Sequence, residues 1–338
     1  MAAAMSSSAL RTMPLLWLVI GAGACVRAGF DGPGPDGAPD RGDVVVGDLL
    51  RVGDGPEGDV DGARPDATVG PLGKLTCEAP QEVGTSAPVH ISEAALTPDG
   101  LELVSRDYPA GVAYSTKRPS LSQPFGAWGQ SSLLSGWADP TFFVFGNTEY
   151  AVVASTVNPR HLALCKLGAP SDCAALSIRH EAGQPATEDM DGPSVAALPD
   201  GSLLMAHNME QGGETDIYLA RTSDANPALG WVTAPVAAVN QAGVKEDDPA
   251  LSPDGLTLVF NKPDSGNIGQ LWVSERSSTT APFPAPRLLA DVNSTSVDGS
   301  AHLAPWQAAG AGKIAYELFF SSERKTGDYL VFRSVCTR

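Results

Sequence analysis

The stretch "ALSPDGLTLVF", residues 250 to 260, has a near twin in "ALTPDGLELVS", residues 95 to 105. In both, an apolar run meets Pro-Asp-Gly and a second apolar run follows. Asp-Gly between apolar runs marks a tight hairpin, because glycine takes the positive φ that the turn requires. "PSVAALPDGSLLMAH" (193 to 207) is a third copy. "DPTFFVFGNTEYAVVAS" (139 to 155) is a degenerate fourth with Gly146-Asn147 at the turn, and "DGSAHLAPWQAAGAGKIAYELFF" (298 to 320) a fifth with Gly312 in place of Gly255.

Working outward, each copy opens a unit of roughly 50 residues. A third apolar strand follows the hairpin, as in "IYLAR" (217 to 221), "QLWVSE" (270 to 275) and "DYLVFR" (328 to 333), and "GWVTAPVAAV" (230 to 239) and "FPAPRLLADV" (283 to 292) supply a fourth. Four antiparallel strands per unit describe a propeller blade, so the expectation is an all-β, five-bladed β-propeller over residues 74 to 338. The 36 glycines and 28 prolines of this 338-residue chain suit such a turn-rich fold.

The run Asp248-Pro249-Ala250-Leu251-Ser252-Pro253-Asp254-Gly255, matched nearly as well by Glu93 to Gly100, resembles the WD40-like PD40 repeat of TolB-type β-propellers. The resemblance covers about residues 77 to 338 and concerns the fold; function has to be argued from a site.

Ala79-Pro80 stands before Glu93 as Ala234-Pro235 stands before Asp248, so "APQEV" (79 to 83) reads as an outermost strand with no blade before it. It is expected to complete the last blade and close the ring, which would protect an otherwise open sheet edge. Cys77 and Cys336 then become neighbours and are expected to form a disulfide, while Cys165 and Cys173 flank a Gly-Ala-Pro turn and suit a local one. Cys25 is left over.

Residues 1 to 24 have the order of a secretory signal: Arg11, an apolar core from Pro14 to Ile20, then small residues before Cys25. That ending resembles a bacterial lipobox, which implies a lipidated Cys25. The Asp-, Gly- and Pro-rich stretch over 25 to 73 reads as a disordered acidic tether. The expectation is an exported envelope protein, an outer-membrane lipoprotein facing the periplasm or cell surface, held to the membrane only through its anchor. A net charge of −17 argues against nucleic acid as a partner. An envelope protein or a glycan is the expected partner, and the chain itself is expected to be a monomer.

No nucleophile elbow, phosphate loop, His-Glu-x-x-His or Cys-x-x-Cys occurs, and His90, His161, His180, His207 and His302 are scattered without metal-ligand spacing. One constellation survives alignment. Glu93, Asp139, Asp191, Asp248 and Asp298 fall just before the first strand of successive units, where a propeller gathers them at one mouth of its channel. Such a cluster calls for hydrogen-bond partners, a divalent cation or raised pKa values. No cofactor is otherwise expected. Of the tryptophans, Trp272 is expected to pack between blades, while Trp137 and Trp306 flank strand starts.

The main expectation is therefore a propeller that binds without catalysing. The alternative is a glycoside hydrolase or lyase at the channel mouth, since "WADPTFFVF" (137 to 145) is similar to the Asp-Pro strand starts of five-bladed arabinanase-like enzymes. Glu93 or Asp139 would be its base and Glu188 or Glu210 its acid.

Overall fold

A computed structural model describes residues 73–85, 90–107, 111–168, 173–306, 314–325 and 327–338. The expected signal, the lipidation site Cys25 and all but the last residue of the tether lie outside these described residues.

The described residues form strands and no helix, arranged as five antiparallel sheets with one minor parallel addition. The first blade runs Ile91–Leu96, Glu102–Asp107, Val112–Lys117 and Gly129–Gln130 from the inside outward. The second is Trp137–Phe145, Thr148–Ser155, Leu162–Lys166 and Cys173–Ala175. The third comprises Asp189–Ala197, Leu203–Gln211, Glu214–Thr222 and Trp231–Pro235, with Ile178–His180 added in parallel on its outer edge. The fourth holds Asp247–Leu251, Thr257–Pro263, Gly269–Glu275 and Arg287–Leu288.

The fifth blade closes the ring as the Ala-Pro register predicts. Its strands Asp298–Pro305, Ala315–Ser322 and Leu330–Thr337 come from the C-terminal end of the chain, and Thr76–Cys77 and Gln81–Glu82 both pair with the last of them. Cys77 lies opposite Cys336 and is disulfide-bonded to it; Cys165 and Cys173, on adjacent strands of the second blade, form the other disulfide.

Apolar residues from facing blades form five clusters, one at each blade junction. Alternation explains why: in every blade the inner strands bury both faces against neighbouring blades, so successive residues pack to opposite sides. The Pro-Asp-Gly turns have a common construction. Gly100, Gly201 and Gly255 sit at φ of 74°, 79° and 70°, and Asp99 Oδ1 and Asp254 Oδ1 accept the backbone N–H of Leu101 and Leu256. Arg118 and Arg276, following the third strands of their blades, donate to the carbonyls of Gly100 and Gly255.

Candidate functional site

The innermost strand of every blade carries a bulge near its start, where the pairing with the second strand skips two residues. Each bulge begins with a residue in the left-handed region: Glu93 at φ 58°, Asp139 at 48°, Gly192 at 55°, Asp248 at 49° and Ser300 at 48°. Four of these are not glycine, and such backbone persists only where its surroundings over-determine it. The bulge turns these five residues into the channel, where they line one small cavity together.

The expected acidic ring is thus real at Glu93, Asp139 and Asp248, and displaced at the other two positions. Asp191 lies one residue before the third bulge, because Gly192 takes its left-handed position. Asp298 lies two residues before the fifth, where Ser300 takes it. The Asp298 carboxylate is fully buried and turned away, accepting from Ser294 N at 2.6 Å and pairing with Arg324 at 2.6 Å.

Successive blades are stitched through the bulge residues. Glu93 Oε2 accepts the backbone N–H of Asp139 at 3.2 Å, Asp139 Oδ2 accepts that of Gly192 at 3.3 Å, and Ser300 Oγ donates to Asp248 Oδ2 at 2.9 Å. Gly192 has no side chain to continue the series. A Cβ there would stand 2.8 Å from Asn208 Nδ2, and Asn208 fills the space instead. Its amide donates to Asp191 Oδ1 at 2.9 Å and also to Asp247 Oδ1 of the next blade.

The channel opens on a mouth cavity of about 380 Å³ lined by Glu93, Asp139, Asp191, Asp247 and Asp248 together with Arg160 and Lys245. Its carboxyls fall into two groups. Asp191 is ion-paired with Arg160 and Asp247 with Lys245, and Arg160 also reaches Asp189 at 2.7 Å. Among the described residues the three bulge acids form no ion pair, and Arg106 near Glu93 and Lys245 near Asp248 only partly offset what raises them. Burial, then the Asp247 and Asp139 carboxylates, push the Asp248 carboxyl up to about 8. Burial, then the adjoining Glu93, hold Asp139 well above the usual carboxylate range, and burial raises Glu93 against hydrogen bonds from Asp139.

Acids with unlike proton affinities at one cavity are the setting for proton transfer. The acids whose carboxyls are raised are Glu93, Asp139 and Asp248. Glu188 and Glu210 are not among the residues lining the mouth. Glu188 is bound by His180 Nε2 at 3.0 Å, and Glu210 is exposed opposite Asp189 in the sheet. Trp137 meets His161 edge-on at 6.4 Å, and Trp306 lies beneath Arg333 on the opposite face of the ring. His302 lines the channel between the two faces, its pKa lowered to about 4 by burial. Among the described residues, no group of three or more His, Cys, Asp or Glu is arranged to hold a metal ion.

Sequence reasoning missed Asp247, Arg160, Lys245 and Asn208. Asp247 was visible as the partner of Asp248 in "KEDDPA" (245 to 250). Arg160 and Asn208 come from a second-blade loop and a third-blade second strand, and no spacing rule joins them.

No protein-family model matches the chain, and no curated protein is significantly similar to it. Its fold does match solved structures. A thermostable family-43 glycoside hydrolase superposes with a TM-score of 0.53 at 13% identity, covering 74% of this chain and 90% of that one. The α-L-arabinofuranosidase of Podospora anserina, solved in complex with cellotriose, gives 0.50 at 11% identity, over 78% of this chain and 97% of that one. A hypothetical protein from Leishmania major gives 0.50 at 8%, over 79% and 90%.

At these identities the likeness establishes the five-bladed fold. The PD40 and TolB-type kinship is not what these matches name. The expectation of a module that binds without catalysing, on a chain read as less an enzyme than a binder, is corrected in favour of its alternative: the two functionally named structures given above are a family-43 glycoside hydrolase and an α-L-arabinofuranosidase, and the mouth holds acids in contrasting environments rather than a uniform scaffold ring.

Proposed function

We propose that the chain is an exported glycoside hydrolase working at the polar mouth of the propeller channel, with Asp248 as proton donor and Asp191 as base. One observation carries this reading: a half-buried carboxyl raised to about 8 shares a cavity with a carboxylate held in an ion pair on the neighbouring blade. Near neutral pH, Asp248 retains its proton and can give it to the glycosidic oxygen as the C–O bond breaks. Water then adds to the anomeric carbon and its proton passes to Asp191, which Arg160 and Asn208 hold in place. Asp247 stands beside Asp248 and contributes to keeping it protonated.

The fold likeness to named glycosidases supports the reaction class, and the Pro-Asp-Gly units support a PD40-like origin of the repeat. Two disulfides support folding in an oxidising compartment. On this reading a lipid on Cys25 would tether the enzyme to the envelope, where it would meet glycans. The test is a panel of aryl pentofuranosides and hexopyranosides with the wild type, Asp248→Asn and Asp191→Asn. Turnover of at least one glycoside is expected, lowered about 100-fold or more in either variant. No turnover on any of them, or turnover indifferent to Asp248→Asn, would overturn the proposal.

A further inference from the structure

A groove lies beside the mouth between the third and fourth blades, and the hydrolysis just described makes no use of it. Its cavity, about 660 Å³, adjoins the mouth cavity at Lys245, which lines both. Its walls are the connection over 241–245 and the hairpin over 263–267, and its floor includes Trp272.

Trp272 occupies a repeat position. By strand register it corresponds to Tyr218 of the third blade and Phe332 of the fifth, facing Phe260 where those face His207 and Phe320. Tyr218 and Phe332 are 5% and 2% exposed, whereas Trp272, like Tyr114 at the same register of the first blade, is only partly buried, and Trp272 lines the groove. Its buried Nε1–H has no acceptor among the described residues. Lys262 holds one face of the ring, its ammonium 5.1 Å from the ring centre.

The two lysines near Trp272 are already paired, Lys262 with Glu246 at 3.4 Å and Lys245 with Asp247, and the third charged residue of the lining, Asp264, is a carboxylate that accepts the backbone N–H of Gly266 and Ile268. A neutral ligand therefore suits the groove better than an anion. An indole floor between walls bearing Gln241, Ser265 and Asn267 fits a saccharide, whose C–H face packs on an aromatic ring while its hydroxyls bond to polar side chains.

We infer that this groove holds the chain of a neutral polysaccharide whose scissile bond lies at the mouth, with Trp272 as the stacking platform. The inference deepens the glycosidase reading and rests on it for the class of ligand. It makes polymers better substrates than the short glycosides that the mouth alone can hold.

The test is affinity electrophoresis through gels containing soluble arabinoxylan, glucomannan or dextran, with polygalacturonate as the anionic comparison. At least one neutral polymer is expected to retard the wild type and Asp248→Asn alike, with binding about tenfold weaker in Trp272→Ala and in Ala285→Arg. Ala285 is an exposed residue lining the groove, so the second variant blocks it without touching the core. Retardation unchanged in both variants, absent with every neutral polymer, or equally strong with polygalacturonate would overturn the inference. Aryl glycoside turnover without retardation would sink the groove alone, whereas retardation without turnover would sink only the hydrolase reading.

Discussion

Asp139 donates its backbone N–H to Glu93 Oε2 across 3.2 Å, joining the second blade to the first through residues that are both in the left-handed region. The same link recurs from Gly192 N to Asp139 Oδ2. The carboxyls that seal the blades are therefore also those that face the channel. On the hydrolase reading, structure and chemistry are served by one set of residues, and pH acts on both.

Stability near neutrality should fall as pH rises. An aspartate of the unfolded chain loses its proton near 3.8, whereas folded Asp248 keeps it to about 8. Between those values the native state binds more protons, so the contribution is full at low pH and is lost as pH passes through 8, at about 1.4 kcal/mol per pH unit for one proton. Glu93 and Asp139 act in the same direction. His207 and His302, lowered to about 4, act oppositely below 6.5, so the clean window is pH 6.5 to 8. Thermal melts should show a falling midpoint there, flattened in Asp248→Asn. A rising midpoint would contradict the assignment.

The same carboxyl should set the alkaline limb of activity. With Asp248 as donor, kcat/KM on a glycoside should decline above about pH 8, tenfold per pH unit once the limb is reached. A pH profile flat to 9.5 would remove Asp248 from the donor role.

Gly192→Ala should damage both fold and mouth. Its φ of 55° strains any L side chain, and the new Cβ would lie 2.8 Å from Asn208 Nδ2. A loss of about 1–3 kcal/mol in urea unfolding is expected. Because Asn208 bridges Asp191 and Asp247, activity should drop even at temperatures where the variant remains folded.

The two disulfides should differ in worth. Cys77–Cys336 spans a sequence separation of 259 and Cys165–Cys173 one of 8. In the chain-entropy model these contribute about 5 and about 2–3 kcal/mol respectively. The paired serine replacement at 77 and 336 should lower the urea midpoint more than the pair at 165 and 173, and the reverse order would show that strand pairing alone closes the ring.

Arg118→Ala should be costly. Its guanidinium bonds both Glu317 oxygens, at 2.8 and 2.7 Å, linking the first blade to the fifth, and neither side chain is more than 1% exposed. Arg333 also reaches Glu317, so one partner would remain for the buried charge. A loss of about 3 kcal/mol, at the low end for breaking a buried pair, is expected by chemical denaturation.

Much of this architecture was legible in the chain. Pro-Asp-Gly at 98 to 100, 199 to 201 and 253 to 255 announced hairpins because few residues other than glycine accept that backbone, and the spacing of Ala79-Pro80 announced the closing strand. Both follow from local sterics and periodicity, which sequence records directly. The apolar alternation likewise gave the blade faces, and it placed Trp272 between blades without revealing that one side opens to a groove.

The site was legible only in part. Glu93, Asp139 and Asp248 could be aligned by their distance from the turn, but a shift of two residues turned Asp298 to a neighbouring loop, whereas Asp191, one residue from its bulge, still lines the mouth. A bulge sets that register, and its position depends on packing against the adjoining blade. Which carboxyls keep their protons depended on burial and on cations brought from elsewhere in the chain, Arg160 and Lys245 among them. Repeat, blade number and ring closure were thus written in short-range pattern. The division of the mouth acids into those that are ion-paired and those whose carboxyls burial raises was decided by tertiary structure alone, because electrostatic environment is a property of neighbours in space.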